Sequence, residues 1–296
     1  MDREGLKIEF LRSNNLDQFK RIELKKDASH RRYDRILKEN GQSLILMDAP
    51  PQKEKVEPFI YMANFLVDNN LSAPKVISED IKNGFLLLED FGDDKFTSIL
   101  SGKSPFSGKL EEEVMYEMAV DNLIQLHKIP HENLNLAQYD DNMLLRESMR
   151  FINYYLEILN GGKIDKAIQE EYIVILKHLL SIAKTLPKVI VLRDYHADNL
   201  MWLNDRSGLN KVGLLDFQDA VIGSPVYDLV SLLEDARRDV SPQIAEKMIN
   251  RYLKSFPKIL RKSFAASYAI YGAQRNLKII GVFARLSSVN KNPYYH

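Results

Sequence analysis

The chain of 296 residues carries 41 Lys plus Arg against 41 Asp plus Glu, a formal charge of zero, so no net field gathers nucleic acid or anionic lipid. With 45% hydrophobic and 28% charged residues it is ordinary globular material, and 13 glycines and 11 prolines are too few for a collagen-like or low-complexity sequence. Zero cysteines exclude disulfides, thiolate zinc sites, iron–sulfur clusters and a cysteine nucleophile, which leaves six histidines for any metal.

This length exceeds what one hydrophobic core usually organises and suggests two lobes. The opening MDREGLKIEF places charges where a signal peptide needs an apolar core, and no stretch approaches the ~20 apolar residues that cross a bilayer. The chain is therefore read as cytoplasmic, with no membrane and no nucleic-acid partner; the sequence leaves its oligomeric state open.

Residues Arg12 to Arg21 are read as helical. Ile22 to Asp27, Arg32 to Lys38 and Ser43 to Asp48 then read as strands of an antiparallel meander, separated by Ala28-Ser29-His30 and the Asn40-Gly41 turn signal. After Pro50-Pro51, the spacing of Val56, Phe59, Ile60, Ala63 and Leu66 predicts a helix up to Asn69. Two more strands are expected at Lys75 to Ser78 and Phe85 to Leu88. From Phe91 the composition turns helical: Phe96 to Leu100, Leu110 to His127, Met143 to Leu159 and Ile168 to Thr185 carry apolar residues three and four apart. Val189 to Leu192 is a buried-looking apolar run. Leu200 to Leu203 and Val212 to Phe217 form a hairpin, and helices resume from Val226. The fold class is α+β: a small antiparallel β-rich lobe, residues 1–90, followed by a larger, mostly helical lobe, residues 91–296.

Leu192-Arg193-Asp194-Tyr195-His196-Ala197-Asp198-Asn199-Leu200 and Leu214-Leu215-Asp216-Phe217 carry the chemistry. Asn199 follows Asp194 by five residues and Asp216 follows it by twenty-two, a gap that the hairpin spans. A strand-turn-strand of this length returns the chain to the loop it left, so the three side chains can share one site. Hard oxygen ligands of this kind suit Mg²⁺, which completes its shell from phosphates and water. Phosphoryl transfer needs that set: Asp194 to accept the proton of the attacking hydroxyl, and Asn199 and Asp216 to hold the metal. Any one of these residues alone is more often a cap or turn residue.

The segment resembles the kinase catalytic loop and metal-binding aspartate. Its form, Asp-Tyr-His-Ala-Asp-Asn-Leu with Leu-Asp-Phe-Gln-Asp-Ala, is similar to the aminoglycoside phosphotransferase and choline kinase-like family over nearly the whole chain. Asp27 to Tyr33, Met47-Asp48-Ala49-Pro50-Pro51, Leu88-Glu89-Asp90, Tyr227-Asp228-Leu229 and Gly272 to Lys278 resemble more closely the bacterial cell-wall-recycling kinases that phosphorylate N-acetylmuramate and N-acetylglucosamine at the anomeric hydroxyl. The resemblance implies a protein-kinase-like fold, ATP and Mg²⁺ as cofactors, and a small-molecule acceptor, an amino sugar. It implies that the loop at Ser29 covers the nucleotide phosphates, with Arg31 or Arg32 supplying charge, and that Glu89-Asp90-Phe91 is a hinge reading the adenine edge. It also places Tyr195 and Arg275 at the acceptor.

Met47 stands where kinases generally carry the lysine that contacts the α/β-phosphates. That lysine's usual partner would be Glu57, left here to pair with Arg31, Arg32 or Lys53, or to face solvent. The loss keeps open a pseudokinase that binds nucleotide without chemistry, as well as a kinase acting on an aminoglycoside or another hydroxylated metabolite. A metal-dependent phosphohydrolase is a further alternative, though it would usually need a denser ligand cluster.

Other residues have plainer readings. His127 and His131 have the spacing of a helical zinc pair, but Pro130 breaks the helix, and His127 is read as a cationic C-terminal cap. His196 is read as scaffolding of the catalytic loop. Asp228 is read as a carboxylate capping a helix start and bracing that loop. Gln274, Arg275 and Lys278 share one helical face, either a solvated charged stripe or, at Arg275, a partner for an acceptor carboxylate. Trp202 is read as core.

Overall fold

The computed structural model describes residues 2–24 and 30–290, and these divide into two compact units. The first holds residues up to Glu111 together with Asp198–Asp219; the second holds Glu112–Ala197 together with residues from Ala220 onward. The division differs from the expected break after residue 90, because the hairpin after residue 198 packs with the β-rich unit.

The β-rich unit opens with α1 (Arg3–Ser13), whose N-cap Asp2 accepts the Gly5 N–H at 2.8 Å. The expected helix at Arg12–Arg21 is thus displaced towards the N-terminus. The face of α1 turned to the sheet includes a charge, Lys7, as well as Phe10 and Leu11, and hydrophobic spacing alone does not reveal it. Five strands follow, β1 (Lys20–Glu23), β2 (Arg32–Leu37), β3 (Ser43–Asp48), β4 (Val76–Asp80) and β5 (Phe85–Glu89), with α2 (Glu57–Asp68) between β3 and β4. Their antiparallel order is β1-β2-β3-β5-β4. Period-two alternation puts Ile36 and Leu46 on the face where Phe10, Leu11, Leu16, Phe85 and Leu87 form a core. Beside this core, Lys7 Nζ pairs with Asp34 at 3.2 Å and Asp48 at 3.1 Å, and Arg3 pairs with Asp48 at 2.6 Å, so buried carboxylates tie the helix to the sheet. α3 (Phe96–Leu100) ends the run.

The second unit contains α4 (Glu112–His127), α5 (Asp141–Arg150), α6 (Glu157–Asn160), α7 (Lys166–Ala183) and strand β6 (Val189–Val191). The hairpin of β7 (Leu200–Trp202) and β8 (Val212–Leu214) belongs to the β-rich unit, where the Leu214 N–H reaches Ser72 O and the Trp202 N–H reaches Asp94 O, both at 2.7 Å. A Cβ at Gly213 would collide with the Phe91 ring, so glycine lets the hairpin approach this closely. In the helical unit, β9 (Val221–Gly223) pairs antiparallel with β6, a three-residue strand that its short run did not announce. α8 (Val226–Leu233), α9 (Pro242–Ser255) and α10 (Arg261–Asn290) complete the chain. The helix expected over Met143–Leu159 is interrupted by a π-helical turn at Phe151–Leu156. Gly281 of α10 crosses at the start of that turn, where a side chain would run into the backbone of Arg150 and Phe151.

His127 is not the expected cationic cap. It is buried at the end of α4, one ring nitrogen bonded to the Tyr252 hydroxyl at 2.8 Å and the other without a partner, and burial pushes its pKa down to about 3. The folded state therefore binds fewer protons here than the unfolded chain, whose imidazole titrates near 6.5. Stability should fall by about 1.4 kcal/mol for each pH unit lowered between those values. Urea denaturation at pH 6.5 and pH 5 should show that slope, and His127→Asn should flatten it.

Candidate active site

In the helical unit the loop after β6 is fixed from behind. Asp228, in the first turn of α8, accepts the N–H groups of Leu192 at 2.7 Å and Arg193 at 2.9 Å through its two carboxylate oxygens. It does not cap its own helix as expected; Pro225 holds the cap position. Burial raises the Asp228 pKa to about 7, against the opposing effect of those two N–H donors. The grip holds Arg193 at φ +73°, a left-handed conformation unusual for a residue with a Cβ.

The Arg193 side chain reaches Glu147 of α5 and lies over the Tyr139 ring, 5.5 Å from its centroid. Glu147 is buried, accepts the Tyr139 hydroxyl at 2.5 Å and pairs with Lys278 of α10 at 3.3 Å. Burial would raise its pKa, but Lys278, Arg193 and the tyrosine bond more than offset this and hold it below the usual carboxylate range. The same balance governs Asp194. Burial would raise its pKa, yet Lys278, His196, Arg193 and Arg275 together lower it. His196 contributes only as a cation, and burial together with Arg237 lowers its own pKa to about 4, so at neutral pH the work falls to Lys278, Arg193 and Arg275. Asp194 is thus a half-buried carboxylate kept ionised by three cations.

Three expectations around this loop change. The Tyr195 hydroxyl donates to Ala119 O of α4 at 2.9 Å and the ring is buried, so the side chain anchors the loop in the core. Arg275 is 3% exposed and donates to Ser231 Oγ at 2.7 Å, which removes it from any solvated stripe and from direct reach of an acceptor; its charge acts on Asp194 through the interior. Gln274 is likewise buried, donating to Leu144 O at 2.9 Å. His196 is buried with Nε2 3.2 Å from Arg237 Nη1, placed to accept from that guanidinium.

The β-rich unit holds the other candidates. The β7–β8 pairing continues with the Leu215 N–H on Asn199 O at 3.0 Å, which brings Asn199 and Asp216 to the same end of the hairpin. Asp216 has φ +56°, and its Oδ1 accepts Gln218 Nε2 at 2.8 Å and lies 3.8 Å from Arg31 Nη1. Phe217 next to it is buried against Phe59 of α2, ring centroids 5.0 Å apart, and so fixes the turn. Among the described residues no group of three or more His, Asp or Glu side chains is placed to hold a metal. One amide and one carboxylate, both hard oxygen donors, fit a cation that takes its remaining ligands from phosphate and water.

Charge near Asp216 comes from Arg31 and not from Arg32. Alternation along β2 turns Arg32 to the face of Asp48 and leaves it exposed, while Arg31 and Tyr33 share the opposite face with Met47. Met47 is buried and apolar. Arg31 pairs with Glu54 at 3.5 Å, whereas Glu57 is exposed at the start of α2, so the acidic partner is three residues earlier than expected. Burial would lower the Arg31 pKa; Tyr33, Glu54 and Asp216 more than offset it. Ser29 lies outside the described residues. In the expected hinge, Glu89 pairs with Arg206 at 2.5 Å, Asp90 with Arg35 at 2.6 Å and with Ser43 at 2.7 Å, and Phe91 lies under Arg206. These side chains are occupied in holding the segment, which leaves recognition of a ligand there to the backbone. Glu54 and Glu147 have no local signature beyond their charge, and only packing reveals them; Lys278 has its place on the face with Gln274 and Arg275 as a signal, but not its partners.

Residues 20–262 match the model of the phosphotransferase enzyme family. The chain belongs to that family. It is similar to the N-acetylmuramate/N-acetylglucosamine kinase of Caulobacter vibrioides, 33% identical over 99% of this chain and 88% of the relative. It is also similar to the protein of the same description from Pseudomonas aeruginosa, 34% identical over 91% of this chain and 77% of the relative. Among solved structures, Plasmodium vivax ethanolamine kinase shares the fold with a TM-score of 0.68, 12% identity, and coverage of 96% of this chain and 81% of that one. As a member of the phosphotransferase family the protein is a kinase with an alcohol group as acceptor.

If Asp228 fixes the loop, Asp228→Asn should leave one amide without an acceptor and lower stability by about 1–3 kcal/mol, the cost of an unsatisfied buried group. Thermal denaturation measures the loss, and hydrogen exchange at the Leu192 and Arg193 amides should accelerate first.

Proposed function

We propose that the protein transfers the γ-phosphoryl group of ATP to the anomeric hydroxyl of N-acetylmuramate and N-acetylglucosamine, with Mg²⁺. The observation that carries the chemistry is Asp194: half-buried, open in part to solvent, and held anionic by Lys278, Arg193 and Arg275, as a group that must accept a hydroxyl proton at neutral pH has to be. The acceptor follows from relatives of that description matching nearly the whole chain.

In this reading Asp194 orients the acceptor hydroxyl and takes its proton as the oxygen bonds to the γ-phosphorus and the bond from that phosphorus to the β-phosphate oxygen breaks, ADP leaving with the electron pair. Asn199 and Asp216 would hold Mg²⁺, which would offset the negative charge of the nucleotide phosphates. Arg31, braced by Glu54, supplies the cation that Met47 cannot, and contacts a phosphate oxygen. Residues 1–90 serve the nucleotide and 91–296 the acceptor, with the 198–219 hairpin contributing the metal ligands. The cytoplasm, where ATP is available, is the matching compartment.

Asp194→Ala should lower turnover at least ~100-fold, the lower end for a general base, with nucleotide affinity nearly intact. Arg31→Ala should raise the KM for ATP by about tenfold or more, the loss of one charge-assisted hydrogen bond, and change the sugar KM little. A coupled assay with ATP, Mg²⁺ and a panel of amino sugars, aminoglycosides, choline and homoserine tests the whole reading. ADP release confined to the N-acetylated sugars supports it. Release with another acceptor reassigns the substrate, sugar-independent phosphate release points to hydrolysis, and ATP binding without turnover means a pseudokinase.

A further inference from the structure

Exposed apolar side chains concentrate on α7, where Ile168, Val174, Ile175 and Ile182 stand 51%, 67%, 53% and 45% exposed. Single surface apolar residues are normal, but a row of them is not. The opposite side of α7 carries Leu176, Leu180 and Ala183, buried towards α5 and α10. The helix thus satisfies its own unit with one apolar stripe and presents a second to solvent. The exposed row runs Ala167-Ile168, Glu171, Val174-Ile175, His178 and Ser181-Ile182, a repeat of three and four that follows one side of the helix.

This row has the same pattern in both directions about the point between Val174 and Ile175. Ala167-Ile168 at one end answers Ser181-Ile182 at the other, and acidic Glu171 answers basic His178. In the adjoining row Glu170 precedes the centre and Lys177 follows it. A second copy laid antiparallel would set Val174 against Val174 and Ile175 against Ile175 of its mate on either side of the axis. Ile168 would then fall beside Ile182 of the mate and small Ala167 beside small Ser181, with Glu170 and Glu171 opposite Lys177 and His178. Parallel packing would set glutamate on glutamate. Such self-complementarity is what a two-fold axis requires of a surface.

We propose that α7 is the interface of a homodimer, packed antiparallel on its symmetry mate about Val174 and Ile175. The stripe is about 22 Å long at 1.5 Å per residue, short for a standard interface of about 1,600 Å², so the dimer is reversible, with a dissociation constant in the micromolar range.

The chain has no cysteine, so a single engineered one reports without interference. Val174→Cys should form an intermolecular disulfide under mild oxidation. Ile168→Cys should not, since antiparallel packing holds residue 168 about 20 Å from its mate. Sedimentation velocity between about 1 μM and about 500 μM, bracketing that range, should show a monomer–dimer equilibrium that Ile175→Glu shifts to monomer with kinase turnover unchanged. Glu170→Lys and Lys177→Glu should each weaken the dimer, and the double variant should restore it. A wild-type chain monomeric throughout overturns the proposal. So does a dimer that survives Ile175→Glu, or disulfides forming equally at positions 168 and 174, which would mean a parallel or unrelated contact.

Discussion

The helical unit's chemistry depends on one carboxylate and two backbone amides. Asp228 binds the N–H groups of Leu192 and Arg193 from a fully buried position at the end of β6. That pair of bonds turns the chain after a three-residue strand and forces Arg193 into the left-handed region. Asp194 follows immediately. Its direction is therefore set by a side chain thirty-four residues later in the chain, on a helix with its own hydrophobic anchorage in Val226, Leu229 and Val230.

Around that fixed point the interior is charged in a graded way. Glu147 stands between Arg193 and Lys278 and keeps both cations in place, while the cations keep the half-buried Asp194 ionised. Taking charges out of water is costly unless each is paired, and the pairing here spans α5, the loop and α10. The β-rich unit solves a related problem differently. Methionine at position 47 brings no charge to its sheet face, and one strand over, on that same face, stands Arg31 with Glu54 beside it. The sheet's alternation makes the placement possible, because neighbouring strands present side chains to the same face in register.

Much of this was legible from residues alone. β3 and α3 fall where their apolar runs place them, since each is bounded by strong turn residues. The loop from Asp194 to Asn199 and the hairpin to Asp216 follow from spacing and from the family resemblance. What escaped has physical causes. α1 buries Lys7 against two aspartates, so its inward face does not look apolar. The π turn at Phe151 preserves helical periodicity while changing the hydrogen-bond partner, and a pattern of apolar residues cannot see that. Tyr195 and Arg275 carry polar groups that suit an acceptor, yet both are buried on partners far away in sequence, Ala119 and Ser231.

The conformation of Arg193 has an evolutionary corollary. Glycine at this position would relax the backbone by about 1–2 kcal/mol, the usual penalty for a Cβ in the left-handed region. It would also strip the neighbouring base of one of its counter-charges and leave Glu147 with one fewer partner. Selection at residue 193 thus acts on two opposed quantities at once, chain relaxation and local potential, and drift towards glycine should be tolerated only in lineages that supply the lost positive charge from another helix.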